Sequence, residues 1–177
     1  LFWASLVDDQ ERSLTYSQMA ESANKLLNLL RKNGVNKGDN VYMMIPIVPE
    51  TWIASLANVK GGLVAVPTAT SMTVRELNFR FEAYPPDVII ADEASLEAMN
   101  QALADTGCKP KVKLLLGSAD GWTSFTAIES ESDQAEAAKT KSDDTLICFF
   151  TSGTTGLPKL VGHSAMSYPL GHLSTAV

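Results

Sequence analysis

Cysteine is nearly missing from this chain: Cys108 and Cys148 are the only two among 177 residues. With His163 and His172 as the only histidines, no zinc-type spacing can be assembled. Cys148 lies in the apolar run 146–150 and Cys108 in a Gly-Cys-Lys-Pro turn, so no structural disulfide is expected. A reducing cytoplasm fits that usage. Long apolar runs are missing too, and none approaches the ~20 residues a membrane-crossing helix needs. Basic residues are outnumbered, with 14 Lys and Arg against 20 Asp and Glu and a net charge of -6. That balance argues against a nucleic-acid surface, which would need a basic stripe. The charge is read as plain solubility.

Strict apolar–polar alternation is also rare, and this carries positive information. Residues 1–7 and 13–16 read as a short hairpin around the polar stretch Asp8-Asp9-Gln10-Glu11. Thr15 and Gln18 then have capping-box spacing, ahead of an apolar face of Met19, Ala23, Leu26, Leu27 and Leu30 that Gly34 ends. Strands are expected at 41–45, 63–66, 87–91 and 112–116. Helices are expected at 49–60, at 73–84 behind a Thr73/Glu76 capping box, and at 94–104. Trp52 and Trp3 are assigned to core faces. Apolar strands interleaved with helices predict a doubly wound, mainly parallel α/β sheet covered on both faces.

The rhythm breaks between residues 118 and 144, which are rich in Ser, Asp, Glu, Ala and Lys. There we expect an aromatic pocket at Trp122 and Phe125, a short helix near 124–129, and then a mobile polar tether. The acidic run 129–133 is read as a solvated face with no metal role. The organisation is therefore 1–117 as hairpin and α/β layer, 118–144 as linker, and 145–177 as strand, loop and the start of a further subdomain.

Thr151, Ser152, Gly153, Thr154, Thr155, Gly156, Leu157, Pro158 and Lys159 follow the strand signal 145–150. Four hydroxyl side chains, two glycines and an ammonium in nine residues offer a polyanion many donors. The glycines let a phosphate approach the backbone, and Pro158 stiffens the loop before Lys159. The pattern G-x-x-x-x-G-K-[ST] cannot be fitted here, so this is not the ordinary phosphate loop. Anion sites in doubly wound sheets lie beyond the carboxyl ends of strands, where this loop would fall. Low burial of apolar surface predicts that residues 152–159 are mobile without nucleotide.

Residues 150–159 resemble the glycine-rich signature of the acyl-adenylate-forming enzymes, which include acyl-CoA synthetases, luciferases and peptide-synthetase adenylation domains. Leu14-Thr15-Tyr16, the turn 33–39 and Pro49-Glu50-Thr51-Trp52 resemble the usual opening of that family in order and spacing. Residues 62–67 and 158–164 are similar to its medium-chain acyl-CoA synthetase branch, and Leu160 stands where most relatives carry Gly. The resemblance implies a carboxylate–CoA ligase that uses ATP, Mg2+ and CoA, through an acyl-adenylate, for a medium-chain or branched acid. It implies a pyrophosphate clamp at Thr151, Ser152, Gly153, Thr154, Thr155, Gly156 and Lys159. His163 matches a position that is often His or polar in the family, and a role there competes with packing or helix capping. The carboxylates Glu21, Glu50 and Glu76 stand apart and form no acid–base pair.

The family's later adenine, ribose, hinge and catalytic-lysine motifs do not occur in these residues. The expectation is a piece of a protein about three times longer, inactive by itself. Two other readings stay open. One is a different adenylate-forming activity on acetate, an aryl acid or an amino acid; the other is a non-catalytic module that binds nucleotide phosphates.

Overall fold

The computed structural model describes residues 2–4, 11–151 and 158–175. Strands β1 (Phe2–Ala4) and β2 (Glu11–Ser13) pair antiparallel, Phe2 opposite Ser13. The second strand lies at 11–13 instead of the expected 13–16, because Thr15 caps the following helix. Helix α1 (Tyr16–Lys32) opens on the predicted capping box: Gln18 N–H donates to Thr15 Oγ1 at 3.2 Å and Thr15 N–H to Gln18 Oε1 at 2.9 Å. All five residues of its predicted face are buried. Asn33 caps the other end, followed by Gly34 at φ +81°.

Then the alternation sets in. Strand β3 (Asn40–Met44) leads to α2 (Pro49–Gly61), β4 (Val64–Pro67), α3 (Val74–Ala83) and β5 (Val88–Asp92). A 3-10 turn (Glu93–Ser95) precedes α4 (Leu96–Thr106) and β6 (Val112–Leu116). Gly61 and Gly62 end α2 for two different reasons. A Cβ on Gly61 would come within 2.7 Å of Leu27 Cδ1, so α1 and α2 need the glycine to pack. Gly62 sits at φ +63°, where a side chain strains the backbone.

The main sheet has seven strands in the order β7-β6-β5-β3-β4-β8-β9, using β7 (Thr123–Ser124), β8 (Thr145–Thr151) and β9 (Lys159–Ser164). Every pair is parallel except β8–β9. The chain runs outward from β3 to β4 through α2, then back past β3 to β5 and β6 through α3 and α4. Keeping one hand of crossover while reversing direction puts the helices on opposite faces. The core divides accordingly. Val41, Met43, Val88 and Ile90 pack with α1 and α2, whereas Tyr42, Met44, Ile89 and Ala91 pack with α3 and α4. The doubly wound architecture read from the sequence is present.

Three local expectations are corrected, and the short helix expected near 124–129 is found. Trp52 is 47% exposed, because α2 turns Ile53, Ala54 and Ala57 to the sheet and leaves the tryptophan outside. The Trp3 side chain lies outside the described residues. Trp122 and Phe125 share no pocket: β7 passes between them, and they are buried on opposite faces of the sheet. The expected helix near 124–129 is a 3-10 helix (Phe125–Ser130) that packs Ile128 against the α1 side. And residues 131–144, without helix or strand, lie against the fold as a strap.

Side chains of α1 hold that strap. Asn24 Nδ2 donates to the Asp133 carbonyl at 2.7 Å, and Asn28 Nδ2 to the carbonyls of Ser132 and Gln134 at 2.8 and 2.9 Å. Lys25 pairs with Glu129 and Lys32 with Glu131, so the acidic run faces the lysines of α1 as well as solvent. Further along, Ala138 N–H donates to the Lys60 carbonyl at 2.8 Å. Asn24 is the joint, since its Oδ1 also accepts from Lys60 Nζ at 2.6 Å. Replacing Asn24 with Leu would leave a lysine and a carbonyl unpaired at a site only 8% exposed. The expected loss is ~1–3 kcal/mol of stability, read as a lower urea midpoint at unchanged slope. An unchanged midpoint would mean that the strap merely rests on α1.

Candidate functional site

Strand β8 pairs with β4 in parallel, Ala65 opposite Ile147, so its carboxyl end lies at the same sheet edge as those of β3, β4, β5 and β6. Thr151 is the last residue of β8 and Lys159 the first of β9, and the two are register partners. Thr151 Oγ1 donates to the Lys159 carbonyl at 3.4 Å. A strand–loop–strand hairpin thus carries the glycine-rich segment, with both ends held by one rung of the ladder. Ser152, Gly153, Thr154, Thr155, Gly156 and Leu157 lie outside the described residues, and so does the expectation of mobility for them.

Both described members of the candidate set are exposed. Alternation along the strands puts Thr151 and Lys159 on the face that also carries Phe149 and Ile147, which is the α2 side. Among the described residues Lys159 forms no ion pair, so its ammonium has no carboxylate to satisfy it. On the opposite face Arg80 of α3 lies 4.7 Å above the Phe150 ring, and desolvation lowers the pKa of that half-buried guanidinium. Cys148, two residues before Phe150 on that face, is buried, which raises its thiol pKa.

His163 is not brought to the loop. It stands four residues along β9 from Lys159, about 13 Å at the rise of a strand. Its ring packs edge-on against Phe149 at 5.9 Å and Tyr168 at 5.8 Å. Tyr168 belongs to α5 (Ser167–Thr175) and meets His172 at 4.6 Å. Both histidines therefore join an aromatic seam that fastens α5 to the hairpin. Ser164 and Ser167 complete it, each donating its backbone N–H to the other's hydroxyl at 2.8 and 3.0 Å.

The base of the hairpin is held by residues that motif reading passed over. Lys37 Nζ lies 2.6 Å from Asp144 Oδ2 and donates to the Lys139 carbonyl at 2.8 Å. Lys141 N–H donates to the same carboxylate at 2.7 Å, and Ala165 N–H to the Asp144 carbonyl at 2.8 Å. Only the Asn-Lys-Gly-Asp turn hinted that Lys37 was fixed in place. Within the sequence nothing links it to a partner 107 residues later. Among the described residues no group of three His, Cys, Asp or Glu converges as a metal site would require. Nor is any helix among them long and apolar enough to cross a membrane.

Lys37 first, and the Lys141 N–H second, hold the Asp144 carboxyl below its ordinary pKa. A depressed folded pKa stabilises above the unfolded value of about 3.9 and ceases to do so as pH falls through the folded value. The stability gap between the native chain and an Asp144→Asn variant should therefore be constant above about pH 5 and close in stronger acid. Thermal melts across that range would check this. A gap that persists at the lowest pH would show that Asp144 acts by shape alone.

With this geometry in place, residues 3–173 match the family described as AMP-binding enzyme. The chain is 41% identical over 176 residues to the 4-hydroxybutyrate–CoA ligase 1 of Metallosphaera sedula, covering 99% of this chain and 30% of that protein. It is 33% identical to the human acyl-coenzyme A synthetase ACSM5, mitochondrial, covering 98% of this chain and 31% of that protein. Among solved structures, the anthranilate CoA ligase AuaEII in complex with anthranoyl-AMP superposes with a TM-score of 0.85 at 25% identity. That match covers 94% of this chain and 32% of the other. The chain thus spans about 30% of the length of the curated relatives it matches.

Proposed function

The chain belongs to the AMP-binding enzyme family, and from that premise we propose that it is part of an ATP-dependent carboxylate–CoA ligase. One observation carries the reading: a hairpin at the carboxyl edge of a parallel sheet, closed at Thr151 and Lys159, carries a loop of hydroxyl residues and glycines. In the first half-reaction a carboxylate oxygen attacks the α-phosphorus of ATP. The bond from that phosphorus to the bridging oxygen breaks, and pyrophosphate leaves with the electron pair. In the second half-reaction the CoA thiol gives up its proton and attacks the acyl carbon, and AMP departs.

Neither half-reaction needs a protein nucleophile. What the first needs is alignment and relief of the charge that develops on the leaving pyrophosphate. We assign that work to Thr151, Ser152, Thr154 and Thr155 as hydroxyl donors, Gly153 and Gly156 as backbone donors, and Lys159 as the charge at the β/γ end. His163 receives no catalytic role. Mg2+, which the family resemblance implies, finds no ligand set among the described residues, and no step here is routed through it.

For the substrate we propose a medium-chain or branched aliphatic acid. Leu160 and residues 62–67 support this by their resemblance to the medium-chain branch, and the name of the Metallosphaera sedula relative, a 4-hydroxybutyrate–CoA ligase, supports an aliphatic acid. The free thiols Cys108 and Cys148 support a reducing compartment. Adenylation by the full-length protein, measured as ATP–pyrophosphate exchange with aliphatic, aryl and amino acids, tests the assignment. A clear preference for an amino or aryl acid would overturn the substrate class, and absence of exchange with every acid would overturn the ligase.

Lys159→Ala in the full-length enzyme should remove one charge-assisted hydrogen bond, ~1.5–3 kcal/mol. That corresponds to about a tenfold to hundredfold loss in kcat/KM for ATP. The ratio of kcat/KM between two acids of different length should not change. Normal ATP kinetics, or a shift in chain-length preference, would show that the lysine does other work.

A further inference from the structure

Arg80 lies on α3 beside the buried stripe of Leu77 and Phe81, and it is itself half-buried. Among the described residues its guanidinium forms no ion pair. The carboxylate best spaced to supply one is Glu76, a helical turn earlier. That carboxylate closes the capping box of α3 instead: Glu76 Oε2 accepts from the Thr73 N–H at 2.9 Å and from the Thr73 hydroxyl at 2.7 Å. A cation partly withdrawn from water without a counterion needs another source of relief. Arg80 finds it over the Phe150 ring, 4.7 Å from the centroid. That is within the ~6 Å over which an aromatic face attracts a guanidinium.

The position of the ring gives this contact a reach beyond packing. Phe150 is the register partner of Leu160, and the next rung of the ladder is Thr151 with Lys159. Successive side chains point to opposite faces of a strand, so a Phe150 ring fixed on the α3 side directs Thr151 to the α2 side. Thr151 and Lys159 are both exposed, and neither is anchored in the core. The backbone of Arg80, by contrast, is tied to the centre of the sheet. Its carbonyl accepts from the Tyr84 N–H at 2.8 Å and from the Tyr42 hydroxyl at 3.4 Å. One residue thus joins the buried strand β3 to the mouth of the candidate loop.

We infer that Arg80 is a positioning residue: its guanidinium, stacked on Phe150, fixes the end of the hairpin from which Thr151 and Lys159 reach the leaving pyrophosphate. The inference rests on the proposed role of the loop as a pyrophosphate clamp. Arg80 acts through the ring and not on the substrate. Without the stack the rung still forms but is free to twist, and small misplacements of binding groups cost rate steeply.

The test uses the full-length protein. Arg80→Met keeps an apolar stem of similar length and removes the cation. It should lower kcat/KM for ATP in ATP–pyrophosphate exchange about tenfold. Thioester formation from CoA and a chemically prepared acyl-adenylate needs no pyrophosphate clamp, and its rate should stay within about twofold. Phe150→Leu should cost ATP efficiency by a similar factor. Adding Arg80→Met to it should cost less than about twofold more, since the two side chains act as one. Arg80→Gln takes the place of Arg80→Met if that variant does not fold. Unchanged ATP efficiency in the single variants overturns the inference and leaves the ligase reading standing. Equal losses in both half-reactions reduce Arg80 to a residue of the core and overturn it as well. Losses that multiply in the double variant overturn it in favour of direct contact between Arg80 and a ligand. Absence of exchange by the native protein with every acid overturns the ligase reading, and this inference falls with it.

Discussion

The constraint that governs the rest is the dryness of the two central strands. Val41, Tyr42 and Met44 of β3 and Val88, Ile89, Ile90 and Ala91 of β5 are fully buried, so neither face of the sheet centre can meet water. Strands of that kind need helices on both sides, which parallel crossovers supply. The one large polar group in this zone shows how tight the condition is. Tyr42 places its ring edge-on to Phe81 at 5.3 Å and donates its hydroxyl to the Tyr84 carbonyl at 2.7 Å. Burial raises its pKa, so it stays a neutral donor that ties the end of α3 to the sheet.

Away from the centre the demand relaxes, and there the candidate loop is placed. Strand β8 is buried at Cys148 and only partly covered along most of its length, and β9 is exposed over its first four residues. An antiparallel pair tolerates one wet face, which a parallel pair in this position would not. The sheet therefore changes from parallel to antiparallel where the chain stops building a core and starts presenting a loop. Lys37, Asp144 and the strap set the base of the hairpin, and the Thr151–Lys159 rung sets its tip.

What the sequence revealed and what it concealed follow from range. The capping boxes at Thr15 and Thr73, the glycines after α1 and α2, and the strand at Val112–Leu116 are local signals and appear where expected. Trp52 was misplaced because a helix with two apolar faces does not say which of them meets its own sheet. The strap was missed because its stability comes from Asn24 and Asn28 binding backbone carbonyls more than a hundred residues away. Composition reports the polar strap residues but not the amides that hold them. At the site, the two ends of the loop were legible as a strand end and a lysine. The packing of His163 was not, since its ring partners lie across the ladder and on α5.

The strap has a consequence for the order of assembly. Its contacts with α1 close loops of about a hundred residues, and the entropy of such closures must be met before the contacts can repay it. Residues 16–116 already contain α1 to α4 and the parallel strands β3 to β6, and they leave the ribosome before the strap does. The strap then docks on a surface that has already formed, and only its docking sets the base from which β8 and β9 extend. The base of the candidate loop is thus set only after the strap has docked. A chain that has not finished folding therefore holds the two ends of that loop in no fixed relation.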